Sequence, residues 1–157
     1  MSNIEPGSLD YKILLQFLFQ DGGIRPGELK NALHTSHSTI NSALKRLEEQ
    51  GYVQWELYGN VNLLEKGEMM LTHIETHHHL IEVFLVDSLD LTPNHAHKEA
   101  LHLASHFSCE TIKKICEKYR HPKICPNNRP IPHYKPCHKH DGEELTYLNE
   151  NIEENTN

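Results

Sequence analysis

Histidine and carboxylate at helical spacing are the residues here that could do chemistry. The sequence holds fourteen histidines, far above an ordinary share, and they crowd the stretch from Glu68 to Phe107. His78 and Glu82 stand at i and i+4, which puts both side chains on one patch of a helix where they could share a cation. His97, on the helix predicted next, faces the early turns of the same pair. Imidazole with carboxylate suits a divalent transition ion, with Mn, Fe and Zn all compatible with those ligand types. A buried His–Glu hydrogen bond that only fixes helix packing would use the same spacing. His77 and His79 are read as pointing to other faces, at the surface or in a subunit interface. Glu99, His102 and His106 make a separate stripe, read as facing water, with a further metal site as the alternative. Cys125, Cys137, His138 and His140 lie in a Pro-rich segment and offer soft ligands for one tetrahedral zinc; the alternative is a loop pinned by proline around two thiols. Cys109 and Cys116 are expected in the core or an interface.

Two helices must carry these groups. From Gly67 to about Leu89 the apolar pattern predicts one long helix, with Met70, Ile74, His77, His78, Ile81, Phe84, Leu85 and Ser88 along a broad stripe. Thr92 before Pro93 is a start signal for a second, running to about Phe107, and Ser108 opens a third. The short Leu89-Asp90-Leu91 link makes the first two antiparallel neighbours.

Upstream, Ser8 to Phe19 predicts a helix with Leu9, Ile13, Leu14, Phe17 and Leu18 on its apolar side and Gly22-Gly23 as its stop. PGELKNAL predicts a short second helix, and HSTINSALKRLEEQ a third that buries Ile40, Ala43, Leu44 and Leu47 and ends at Gly51. Alternation through Val53, Trp55 and Leu57, then Val61 and Leu63, around Tyr58-Gly59-Asn60 predicts a hairpin. Three helices and a hairpin make a winged helix-turn-helix. Its third helix turns Ser38, Thr39, Asn41, Ser42 and Lys45 outward, the short polar and basic side chains that read base edges and hold phosphates in a major groove. A solvated helix face, or a surface for protein contacts, is the alternative use of the same residues.

Composition sets limits on this reading. A formal charge of −7 over 157 residues argues against nonspecific coating of nucleic acid, so any phosphate attraction must come from local placement of Lys and Arg. No basic-then-apolar leader opens the sequence and no apolar run reaches the ~20 residues of a membrane helix, so the expectation is a cytoplasmic protein with no membrane partner. Four cysteines without a leader suggest thiols or ligands more than a disulfide framework. An enzyme is not expected: there is no phosphate-cradling Gly-rich loop and no Ser or Cys nucleophile with an evident base. The acidic, polar stretch beyond Asp141 is expected to be a frayed tail.

In this order and spacing, EEQGYVQWELYGNVNLLEKG, HHHLIEVFLVDSLDL, HKEALHLASHFS and CPNNRPIP resemble the metal-dependent transcriptional repressors related to the diphtheria toxin repressor and the manganese transport regulator, over roughly residues 8 to 132. The resemblance implies a mainly α protein: a winged helix-turn-helix over residues 1–66, an all-helical dimerisation and metal-binding domain over 67–132, and a His/Cys segment with an acidic tail over 133–157. It implies a homodimer that binds a palindromic double-stranded operator when a divalent ion is present. His78, Glu82 and His97 match one of the family's metal sites, and Asp10 matches a first-helix ligand of its manganese-type members. Elsewhere the sequence departs from the pattern. Leu101, Ala104 and Ser105 stand where the other site takes its ligands, Ile13 where manganese-type members have a second first-helix Glu, and the expectation is a short form without the SH3-like domain of many relatives. Two rivals remain: a winged-helix regulator sensing thiol oxidation or a small molecule, and a metal-binding protein whose winged helix makes protein contacts.

Overall fold

The structure, a computed structural model, describes residues 4–56 and 58–134. Three helices lead: α1 (Leu9–Gln16), continued by a 3-10 turn at Phe17–Phe19, α2 (Pro26–Ala32) and α3 (His37–Glu49). The hairpin of β1 (Val53–Trp55) and β2 (Val61–Leu63) follows, antiparallel with Val53 opposite Leu63 and Trp55 opposite Val61. Ile24 adds a bridge to Val61 at the free edge of β2. Then come the long α4 (Glu65–Leu89), α5 (Pro93–Leu103) and α6 (Cys109–Lys118).

Four of these helix starts are explained by a hydroxyl. Ser8, Ser36, Thr92 and Ser108 accept from a backbone N–H of the first turn of α1, α3, α5 and α6, each satisfying a donor that the helix leaves orphaned, for about 1 kcal/mol. Gly51, at φ +79, ends α3. Its N–H reaches the Glu48 carbonyl and that of Tyr52 reaches Leu47, the paired closure a left-handed residue permits. Two predicted ends shift inward. Phe17–Phe19 tighten from α to 3-10, and α5 stops at Leu103, because the N–H groups of His106 and Phe107 both turn back to the Leu103 carbonyl and Ser108 must be extended to cap α6.

Two apolar clusters are threaded by one helix. The first joins Ile13, Leu14, Leu29, Ile40, Leu44, Leu47, Val53 and Val61 to Ile74 of α4. The second joins Leu80, Ile81, Val83 and Leu85 of α4 to Ala96, Ala100, Ile112, Cys116, Cys125 and Ile131. Fully burying one such Leu or Ile is worth about 1.5–3 kcal/mol, so the middle of α4 is fixed by both sides. It contributes a nearly unbroken buried run from Thr76 to Val83. That corrects the reading of His77 and His79 as surface or interface residues: both are buried, because α4 is covered by α1, α5 and α6 and has no free face at this level.

Candidate metal centre and DNA-reading helix

Glu82 is the centre of the polar group. It is fully buried, and an unpaired carboxylate there would be prohibitively costly. His78 Nε2 lies 3.0 Å and His97 Nδ1 2.7 Å from Oε1, and His79 Nδ1 lies 3.3 Å from Oε2. Asn127 Nδ2 donates to Oε1 at 3.3 Å and to the Pro93 carbonyl at 3.0 Å. Burial pushes the Glu82 carboxyl up, but hydrogen bonds from His78, His79 and Cys125 outweigh it and hold the group well below the usual carboxylate range. The group is therefore an anion at neutral pH. Beside it opens a cavity of about 340 Å³ lined in part by Glu75, His78, His79, His97, Asn127 and Arg129.

The donors fit a cation. His78 Nε2, Glu82 Oε1 and His97 Nδ1 form a triangle with sides of 2.7, 3.0 and 3.1 Å. Adjacent ligands at right angles around an ion with bonds of about 2.1 Å are separated by about 3.0 Å. His78 turns only Nε2 to this group; its Nδ1 is buried without a hydrogen-bond partner among the described residues.

The structure brings His78, Glu82 and His97 together and adds His79, whose i, i+3 relation to Glu82 was the available signal. Asp10 is elsewhere. Its carboxylate is gripped by the Arg46 guanidinium, Nη2 to Oδ1 at 2.7 Å and Nε to Oδ2 at 3.3 Å, a two-point fit that engages both oxygens. Glu99, His102 and His106 are exposed, and Glu99 faces His95 at 3.5 Å. Cys125 is buried, and its thiol hydrogen-bonds Glu82. Cys137, His138 and His140 lie outside the described residues.

Two of the cysteines on which the thiol-oxidation rival rests are held in the thiol form. Burial pushes the Cys116 thiol up to about 12, with a further push from Glu117. Cys125 rises to about 11, first through burial and then through its hydrogen bond to Glu82. Since the thiolate is the reactive form, at pH 8 both react with iodoacetamide roughly a hundredfold or more slowly in the folded than in the unfolded chain. Peptide mass spectrometry over time checks this, and equal rates would contradict it.

On α3, Ser38, Thr39, Asn41, Ser42 and Lys45 are all exposed, while Ile40, Ala43, Leu44 and Leu47 hold the opposite face in the core. Ser36 accepts the Thr39 N–H and its hydroxyl contacts those of Ser38 and Thr39, so the amino end of the helix is ordered in advance. Tyr58, at the hairpin tip, is 98% exposed with φ +68; sequence reasoning treated it only as a turn residue.

An exposed polar helix presented by a helix-turn-helix, with a hairpin wing and a histidine-bearing helical domain behind it, defines a winged-helix DNA-binding transcription regulator. Residues 64–133 match the family described as "Iron dependent repressor, metal binding and dimerisation domain", and residues 8–56 match the MarR family. The chain is 33% identical over 92 residues to the HTH-type transcriptional regulator MJ0568 of Methanocaldococcus jannaschii, covering 59% of this chain and 74% of that one. It is 28% identical over 104 residues to the transcriptional regulator MntR of Salmonella typhimurium, 66% of each. A solved manganese-dependent transcriptional repressor complex with manganese superposes with a TM-score of 0.69 at 25% identity, over 79% of this chain and 58% of that one. The chain belongs to the family of metal-dependent transcriptional repressors. It spans less than two thirds of the length of the last two relatives. Among the described residues no helix is long and apolar enough to cross a membrane.

Proposed function

We propose that this protein is a metal-responsive repressor of metal-ion homeostasis genes, acting in the cytoplasm as a homodimer on a palindromic operator. The observation that carries the proposal is the convergence of His78, His79 and His97 on the buried Glu82 carboxylate. Residues 1–66 serve as the DNA-reading unit and 67–132 as the metal-binding and dimerising one. Ser38, Thr39, Asn41, Ser42 and Lys45 make the DNA contacts, and His78, Glu82 and His97 hold the ion.

The ion, one of Mn, Fe or Zn, supplies a positive charge that joins α4 to α5. Glu82 gives the anionic ligand, the imidazoles of His78 and His97 give neutral ones, and Asn127 orients the carboxylate from the side. Because α4 also carries Ile74 into the core of the winged helix, its position relative to α5 bears on where the reading head sits. An ion favours whichever arrangement binds it more tightly, and DNA affinity rises by that difference. Two heads on a two-fold axis then read two half-sites.

Gel retardation on the DNA upstream of its own gene, with and without Mn, Fe or Zn, tests the proposal. Retardation that needs metal supports it; metal-independent binding removes the sensor and leaves the DNA binder, and no retardation at all favours the protein-contact rival. Within the same assay, Asn41→Ala weakens operator binding by about 1–3 kcal/mol. Lys45→Ala lowers the slope of log affinity against log salt by about 0.9. Wild-type behaviour in both variants would take α3 out of the groove.

A further inference from the structure

We propose a second metal site, formed by His73 and His77 of α4 with Cys109 of α6, that takes a thiophilic divalent ion of the zinc type. His73 Nε2 lies 3.0 Å from His77 Nε2 and 3.2 Å from Cys109 Sγ, and His77 Nε2 lies 3.5 Å from the same sulfur. Tetrahedral zinc, with bonds of about 2.0 Å to nitrogen and 2.3 Å to sulfur, spaces its ligands about 3.3 Å (N to N) and about 3.5 Å (N to S). The three donors converge to within a few tenths of an ångström of that arrangement.

Contacts outside the donor triangle position both imidazoles. His77 Nδ1 lies 3.3 Å from the Ala104 carbonyl, which can only accept, so the proton of the neutral ring sits on Nδ1 and the Nε2 lone pair is aimed at His73 and Cys109. The His73 ring stacks on Tyr134, centroids 4.7 Å apart, and Tyr134 is itself anchored by its N–H to Thr76 Oγ1 at 3.0 Å.

The donor set separates the two centres chemically. Thiolate and imidazole without carboxylate select zinc-like ions, whereas the Glu82 group, with its hard oxygen, accommodates manganese or iron as well. Binding forms one metal–sulfur and two metal–nitrogen bonds and releases the Cys109 thiol proton to solvent. One position of the tetrahedron is left for water or another donor, and the ion ties the middle of α4 to the start of α6. His73 and Cys109 are 36 residues apart, so this pairing was invisible in the sequence, where Cys109 read as a core or interface residue.

Cobalt titration of the metal-free full chain is the test, because a cobalt–thiolate bond gives a near-ultraviolet charge-transfer band that histidine and carboxylate alone do not. The expected result is a saturable band, displaced by zinc, that is lost in Cys109→Ser and that needs about tenfold or more additional cobalt in His73→Gln. Glu82→Gln retains the band while losing manganese binding, so failure of one centre is distinguishable from failure of the other. If Cys109→Ser does not fold, as judged by circular dichroism, the His73→Gln titration decides. A wild-type protein without the band, a band undiminished in Cys109→Ser, or an unshifted titration in His73→Gln would overturn the proposal.

Discussion

Glu82→Gln lowers manganese affinity by about a hundredfold or more, equivalent to about 2.7 kcal/mol, and abolishes the metal-dependent part of operator binding. The substitution keeps the side chain's size but removes the anionic ligand, so the volume of the core is unchanged and the chemistry is not. It also turns an amide N–H₂ toward at least one of the groups that now face a carboxylate oxygen: His78, His97 and Asn127 at Oε1, or His79 at Oε2. Each buried donor left unmet costs about 1–3 kcal/mol, and the metal-free variant melts at a lower temperature. Glu99→Gln, on the exposed side of α5, changes neither property and serves as the control. Calorimetric titration and thermal melting check both outcomes. Wild-type manganese affinity in Glu82→Gln would reduce Glu82 to a packing residue.

The second large effect is purely steric. Gly67 lies in the first turn of α4, where a Cβ would come 2.1 Å from the Tyr52 carbonyl oxygen and 3.0 Å from Leu63 Cδ2. That carbonyl cannot withdraw cheaply, because it accepts the Leu64 N–H at 3.0 Å in the turn that launches α4 from the wing. Gly67→Ala therefore destabilises the fold by about 3 kcal/mol, through displacement of α4 from the hairpin. A melting temperature lower by about 10 °C follows. Gly27→Ala, in α2 with nothing near the added carbon, is neutral or stabilises by up to about 1 kcal/mol. Equal melting temperatures for the two variants would show that the contact at Gly67 does not hold α4 in place.

What was legible in the sequence is what local chemistry decides. Hydroxyl caps at Ser8, Thr92 and Ser108 and the glycine after α3 place helix ends within a turn, and alternation through Val53 and Trp55 places the wing. The apolar face of α3, through Ile40, Ala43, Leu44 and Leu47, also fixes which of its residues are left for DNA. His78 and Glu82 were legible because one turn of helix brings them together whatever the rest of the fold does, and His97 because a short link returns the chain beside them.

What was not legible depends on distant covering. The periodicity of α4 does not mark His77 and His79 as buried; segments distant in sequence cover them, Ala104 and Cys109 at His77 and the loop holding Asn127 and Arg129 near His79. Asp10 is drawn to Arg46 across 36 positions, a pairing for which helical periodicity carries no signal. Cys109 meets His73 only once α6 packs on α4. In each case the missing information was which helix lies alongside, not which residues form a helix.

Coupling between the two ends of the molecule is open to one direct measurement. If an ion on His78, Glu82 and His97 raises operator affinity by some factor, operator DNA must raise the affinity for that ion by the same factor. Manganese binding, followed by the loss of the free-ion paramagnetic resonance signal, is to be titrated with and without saturating operator. The expected result is tighter manganese binding in the presence of DNA, by the factor that manganese adds to DNA binding; identical curves with and without DNA would contradict metal control of the reading head.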